Sequence, residues 1–230
     1  FSDGVRSVVL KLRSNGSVEW SRSYGSSGNH VGLSVFQAPG GGYYFTEAFA
    51  ASGSRSDLVI SRLDSTGIPL WSRSYRSPGV SLLASIITVD DDLILSGNIT
   101  APSGANSRGV IFKLDEDGNI LWRKKVKPDG RPVFLGKTVV LTPDDSVLVS
   151  GCAGDRNANN MDIAMLKISS DGQIQGGCSK LTNFGLSSSQ FELSSSPITL
   201  YEIPVPFFTS TAGFQNTTFA ASETLVCSGD

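Results

Sequence analysis

The sequence predicts an all-β protein assembled from a repeated unit of four short strands, and three observations carry that prediction. The first is a segment that returns at a near-fixed interval. Val9-Leu10-Lys11-Leu12, Asn15-Gly16 and Trp20 come back as Val59-Ile60-Ser61-Arg62-Leu63-Asp64, Gly67 and Trp71. They return again as Ile111-Phe112-Lys113-Leu114-Asp115, Asp117-Gly118 and Trp122. A weaker copy reads Met165-Leu166-Lys167-Ile168 and Asp171-Gly172, with Gly176 where Trp would stand. The turn glycine moves by 51, 51 and 54 residues from Gly16 to Gly67, Gly118 and Gly172. The second observation is composition: charged residues are only 17%, and Gly, Ser and Thr are abundant, which suits a turn-rich β protein and excludes a coiled coil. The third is the lack of any window with convincing helical periodicity. Self-similarity near 50 residues in a strand-rich chain points to the four-stranded blades of a β-propeller.

The elements follow from one period. Residues 57–64 read as a strand, turned by Ser65-Thr66-Gly67 into a second at 68–76. Ser81–Val89 reads as a third, apolar strand, and Asp90-Asp91-Asp92 turns it into a fourth, Leu93–Ile99. Val, Ile, Leu and aromatic residues bounded by Gly, Pro, Asp and Ser are the strand and turn signature. The corresponding second hairpins are Leu33–Phe36 with Tyr43–Phe49 and Thr138–Leu141 with Val147–Ser150. Their turns, Pro39-Gly40-Gly41-Gly42 and Pro143-Asp144-Asp145, offer positive φ and the preset φ of Pro. Three full blades are expected between about 30 and 180, with half a blade at residues 4–25. Either the tail completes that half, or further blades precede it. Phe1 lies where the later repeats have a loop, which favours the second expectation. A start just after signal cleavage is the other reading of the same position.

If each outer turn has two residues, centred on Asn15-Gly16, Thr66-Gly67 and Asp117-Gly118, outward counting sets Lys11 opposite Trp20, Arg62 opposite Trp71 and Lys113 opposite Trp122. Each pair then places a cation beside an indole, worth roughly 0.5–1 kcal/mol when exposed. A three-residue loop with a glycine bulge removes the direct pairing. The plainer role of each Trp is packing between neighbouring blades.

The pattern K-L-D-x-x-G-x-x-x-W resembles repeats of secreted bacterial β-propeller proteins, closest to surface propellers of anaerobic, often metal-reducing bacteria. It is also similar to blades of quinoprotein dehydrogenases and of the outer-membrane assembly lipoprotein of the BamB type. The resemblance covers about residues 4–180 and implies that each Trp docks against the next blade. The stretch Gly172-Gln173-Ile174-Gln175-Gly176-Gly177-Cys178 fits the family's closing Gly-x-Ile-x-Gly-Cys with one extra Gly.

Two regions are expected: blades over 1–180 and a β-rich tail over 181–230. The tail holds six of the twelve Phe residues and carries a net charge of −4 against +2 for the rest. Its Phe content and Ile198–Ile203 argue against disorder. Pro197, Pro204 and Pro206 restrict it to short or edge strands, covering a face, an edge or a neighbour. Cys178 and Cys227 bracket the tail, and a disulfide between them would close a loop of about 50 residues, nominally stabilising by ~4 kcal/mol. Cys152 reads as a small buried side chain.

Chemistry-bearing motifs are sparse. Three distant cysteines and a single histidine fit no zinc or haem pattern. Asp115-Glu116-Asp117-Gly118-Asn119 opens like a calcium loop but sits on the repeat's turn, without the later bidentate Glu. Asn15, Asn98 and Asn216 begin glycosylation acceptor patterns. Serine-type catalysis would rest on His30 alone. No set of calcium ligands with a catalytic Asp can be placed for a quinoprotein, and the acidic residues fall mainly at turns rather than as facing carboxylates. A net charge of −2 implies no polyanion, and no apolar run is long enough for a membrane-spanning helix. The expectation is a non-catalytic extracellular or cell-surface scaffold without cofactor or metal, binding a protein or extracellular polymer and self-assembling through the tail. The alternative is a propeller enzyme, quinoprotein or polysaccharide-active.

Overall fold

The computed structural model describes residues 4–51, 56–77, 81–89, 91–100, 108–126, 133–155, 160–174 and 181–200; of the strand 81–89 only the backbone is described. Every regular element among them is a β-strand. The first sheet contains β1 (Ser7–Leu12) and β2 (Val18–Gly25). The second runs β3 (Asn29–Gln37), β4 (Tyr43–Ala50), β5 (Asp57–Leu63) and β6 (Pro69–Arg76) in chain order. The third repeats that meander with β7 (Ser81–Val89), β8 (Asp92–Thr100), β9 (Arg108–Leu114) and β10 (Ile120–Val126). The fourth has β11 (Val133–Leu141), β12 (Val147–Asp155) and β13 (Asn160–Ile168). A single parallel bridge, Val133 to Arg108, links the third and fourth ladders.

The grouping of strands agrees with the repeat-based expectation: three sheets begin near residues 29, 81 and 133, preceded by a two-stranded one. The turns differ from the simplest expectation. Arg13 N–H bonds Ser17 O and Gly16 N–H bonds Arg13 O, so the loop is longer than two residues, with Gly16 at φ 84°. Leu12 then faces Val18, one out of the symmetric count. A bulge at Glu19 restores it, and Lys11 faces Trp20. Leu70 and Leu121 are skipped in the same way, so Arg62 faces Trp71 and Lys113 faces Trp122. Two one-residue irregularities cancel, and the paired side chains return to one face. The cations go elsewhere than the indoles: Lys11 Nζ lies 5.9 Å from the Tyr43 ring centre and Arg62 Cζ 5.0 Å from that of Tyr44. Lys113 pairs with Asp92 at 2.7 Å.

The sheets stack in chain order, and three apolar clusters fill the spaces between them. Val9, Tyr24, Phe45 and Leu63 lie between the first and second sheets. Tyr44, Leu58, Ile60, Tyr75, Leu95 and Phe112 lie between the second and third. Ile94, Ile111, Leu135, Val149 and Ile168 lie between the third and fourth. Asn98 ties the last junction together, accepting from Leu135 N–H at 2.8 Å and donating to Leu135 O. This acceptor-pattern asparagine is therefore committed to a packing role.

The described part of the tail retraces the stack backwards. β14 (Leu181–Thr182) pairs with β10, β15 (Ser187–Gln190) with β6, and β16 (Ser194–Pro197) with β2, all antiparallel. Gaps of a few residues suffice, because an extended residue covers about 3.3–3.6 Å and stacked sheets sit about 10 Å apart. The tail thus adds an outer strand to three sheets of its own chain. Phe184 and Leu186 enter the middle cluster, so this segment is part of the core. Cys152 on β12 is a half-buried free thiol. Cys178, Cys227 and Asn216 lie outside the described residues.

Candidate functional site

Each junction between sheets is built around one turn glycine. A glycine at φ near +80° is needed because an L-side chain there is strained. At Gly67, Asp64 Oδ1 accepts from the amides of Thr66 at 2.8 Å and Ile68 at 2.9 Å and from Thr66 Oγ1 at 2.8 Å. These donors, the Ile68 amide foremost, hold the Asp64 carboxyl below the usual range. At the next turn the Asp115 carboxylate accepts from Asp117 N–H at 3.1 Å and Asn119 N–H at 2.7 Å. That carboxylate closes the turn, which is the physical role of the stretch that opens like a calcium loop.

The preceding sheet docks on that turn. Trp20 Nε1–H donates to Ser65 O at 3.0 Å, and Tyr24 Oη donates to Gly67 O at 2.6 Å. Tyr75 Oη donates to Gly118 O at 2.6 Å, and Trp122 Nε1–H donates to Ser170 O at 3.2 Å. A Cβ at Gly67 would lie 2.9 Å from the Trp20 ring, at Gly118 3.0 Å from that of Trp71, and at Gly172 3.0 Å from that of Trp122. All three glycines are therefore sites of close ring approach as well as of positive φ. Burial raises the Tyr24 phenol to about 12 and pushes that of Tyr75 up further. The two tyrosines were not singled out by sequence reasoning. Their signal is the spacing Trp20-x-x-x-Tyr24 and Trp71-x-x-x-Tyr75, which breaks at Val126.

The turn at Gly16 has the same hydrogen bonds and φ, yet among the described residues nothing lies within 4 Å of a Cβ built there. Behind it, Val8, Leu10 and Leu12 are 52%, 41% and 51% exposed. Their repeat equivalents, Val59, Ser61 and Leu63 and then Val110, Phe112 and Leu114, are all 0% exposed. Val8, Leu10, Leu12 and the Gly16 turn form an open copy of the receiving half of a junction.

A second cluster joins the first two sheets near the tail. Ser26 Oγ lies 3.1 Å from His30 Nε2, and His30 Nδ1 lies 3.0 Å from Glu47 Oε1, with His30 and Glu47 wholly buried. Ser26 also borders a cleft of about 710 Å³ with Trp71, Ser72, Phe191 and Ser194. The distances match a nucleophile, base and orienting acid. The bonding differs in one respect, a second donor on Nε2. Ser26 N–H also donates to Nε2, at 3.0 Å, and an amide cannot reverse its role. Nε2 is therefore the acceptor, and Nδ1–H donates to Glu47. Taking a proton from Ser26 Oγ would set Nε2–H against the Ser26 amide. The same bonds clamp residues 26–30 onto β4, under the rings of Phe49 (4.9 Å) and Phe191 (6.1 Å). Sequence reading reached only His30, because Glu47 meets it only through the β3–β4 register.

Among the described residues no group of three or more His, Cys, Asp or Glu side chains is placed to hold a metal ion, and no helix is long and apolar enough to cross a membrane. Comparison with protein-family models finds no match, and comparison with curated proteins finds no significant match.

Proposed function

We propose that this chain is a run of β-propeller blades serving as a non-catalytic extracellular or cell-surface scaffold, which binds another macromolecule through the open face of its first sheet. One observation carries the reading: three successive junctions share one construction, and the first sheet offers the receiving half of the same construction, exposed. Exposed apolar surface bordered by polar turns is the usual mark of an interaction site. The tail has a different place in this reading from that expected of a free adhesive strand, since residues 181–197 pair with the chain's own sheets.

The test has two arms. The purified full chain is examined by absorbance for a bound chromophore and assayed for polysaccharide and ester cleavage. A redox cofactor or turnover at an ordinary enzymatic rate overturns the reading. Sedimentation velocity of the native chain against Leu10→Asp forms the second arm. The reading expects the apolar face to drive association that Leu10→Asp abolishes, and identical profiles count against it.

A further inference from the structure

We propose that the open face of the first sheet is a docking site for another antiparallel sheet whose outer strand carries Trp-x-x-x-Tyr. The proposal rests on the scaffold reading and names the partner's chemistry. The face continues an established series, because the opposite side of the same sheet forms the first junction. Its floor is Val8, Leu10 and Leu12, at the positions that the preceding sheet covers in the second and third sheets. Its polar anchors are the carbonyls of Ser14 and Gly16, which stand where Ser65 O receives Trp20 and Gly67 O receives Tyr24. The open space over Gly16 is where an indole lies over Gly67, Gly118 and Gly172.

A merely apolar partner would leave both carbonyls without donors on a surface that excludes water, at a penalty for each. An indole N–H and a phenol O–H four residues apart supply both donors and two flat apolar rings. Residues four apart lie on the same face of a strand, so one outer strand presents both. A second copy can cover the apolar floor but, with its described residues, does not supply the two donors, so self-association through this face is the weaker of the two contacts. Its Trp20, Trp71 and Trp122 already lie on turns within its own stack.

The probe is the octapeptide Val-Glu-Trp-Ser-Arg-Ser-Tyr-Gly, the sequence of β2, titrated into the ¹⁵N-labelled full chain. Amide shifts are expected at Val8, Leu10, Leu12 and Ser14–Gly16. They vanish when the peptide's Trp and Tyr are both Ala, and when the protein carries Leu10→Asp. Tethering the peptide to the N-terminus through a Gly/Ser linker raises its local concentration to about the millimolar range, so low affinity does not mask the contact. The tethered form is expected to raise the urea midpoint, and the tethered Ala form is not. No shift in either format overturns the proposal. So do shifts that survive Leu10→Asp, or shifts confined to β6 and β15, which would mean exchange with the tail. Such results leave the scaffold reading intact, since that reading fails on a cofactor, on turnover or on Leu10-independent sedimentation.

Discussion

Replacing the same residue type in the same turn at two places separates backbone strain from junction packing. Gly16 and Gly118 have φ of 84° and 79°, so alanine at either suffers the same left-handed penalty, about 1–2 kcal/mol. At Gly16 nothing in the described structure meets the new methyl within 4 Å. At Gly118 it meets Tyr75 Oη at 2.6 Å and the Trp71 ring at 3.0 Å. The phenol must move, breaking its bond to Gly118 O in a fully buried site. That adds about 1–3 kcal/mol for the lost bond and stranded group. Gly118→Ala is thus expected to cost about 2–5 kcal/mol and Gly16→Ala about 1–2. Urea unfolding followed by tryptophan fluorescence, with unchanged slopes, gives the difference from the midpoints. In a Tyr75→Phe background the excess at Gly118 should shrink, as a double-mutant cycle would record. Equal costs at the two glycines would refute the docking role of the Trp and Tyr pair.

Further expectations concern the clamp, the tail and alkaline pH. His30→Ala leaves Glu47 buried without its donor and should cost about 2–3 kcal/mol, whereas Ser26→Ala, which keeps the backbone donor, should cost about 1 kcal/mol or less by thermal melting. Parity between these two would sink the clamp assignment. Phe184→Ala opens a hole in the middle cluster and should cost about 3–5 kcal/mol in urea, and a cost near zero would show that the tail is not core. Tyr24 is raised to about 12 by burial, so its folded form favours the neutral phenol over an unfolded tyrosine near 10. Its stabilising contribution is therefore complete below pH 10 and lost as pH rises through about 12. Phenolate absorbance should show part of the tyrosine signal appearing only with unfolding in that window, and full ionisation in folded protein would contradict it.

The residues that repeat also reveal where legibility in the sequence stops. Turn glycines, strand grouping and the Lys11–Trp20 type of pairing were readable because each recurs at a constant interval. Yet the pairing is reached through an extra turn residue and a compensating bulge at Glu19, Leu70 or Leu121. A bulge is a backbone irregularity and needs no particular residue type, so symmetric counting arrived at the right partners by a different route.

What the sequence by itself determined is local and periodic: all-β character, turn positions at Gly16, Gly67, Gly118 and Gly172, and one Trp in each of the first three outer hairpins. Such features follow from φ preferences and alternation, which act between near neighbours. Only the tertiary structure decided the rest. The tail's return across β10, β6 and β2 is made by backbone hydrogen bonds, which any non-proline residue can supply and no composition marks. Ser26, His30 and Glu47 meet through hairpin register, and Tyr24 finds Gly67 through the stacking of one sheet on the next. The exposure of Val8, Leu10 and Leu12 was likewise hidden. As strand residues they read like Val110, Phe112 and Leu114, and only the presence or lack of a sheet in front tells a core face from an open one.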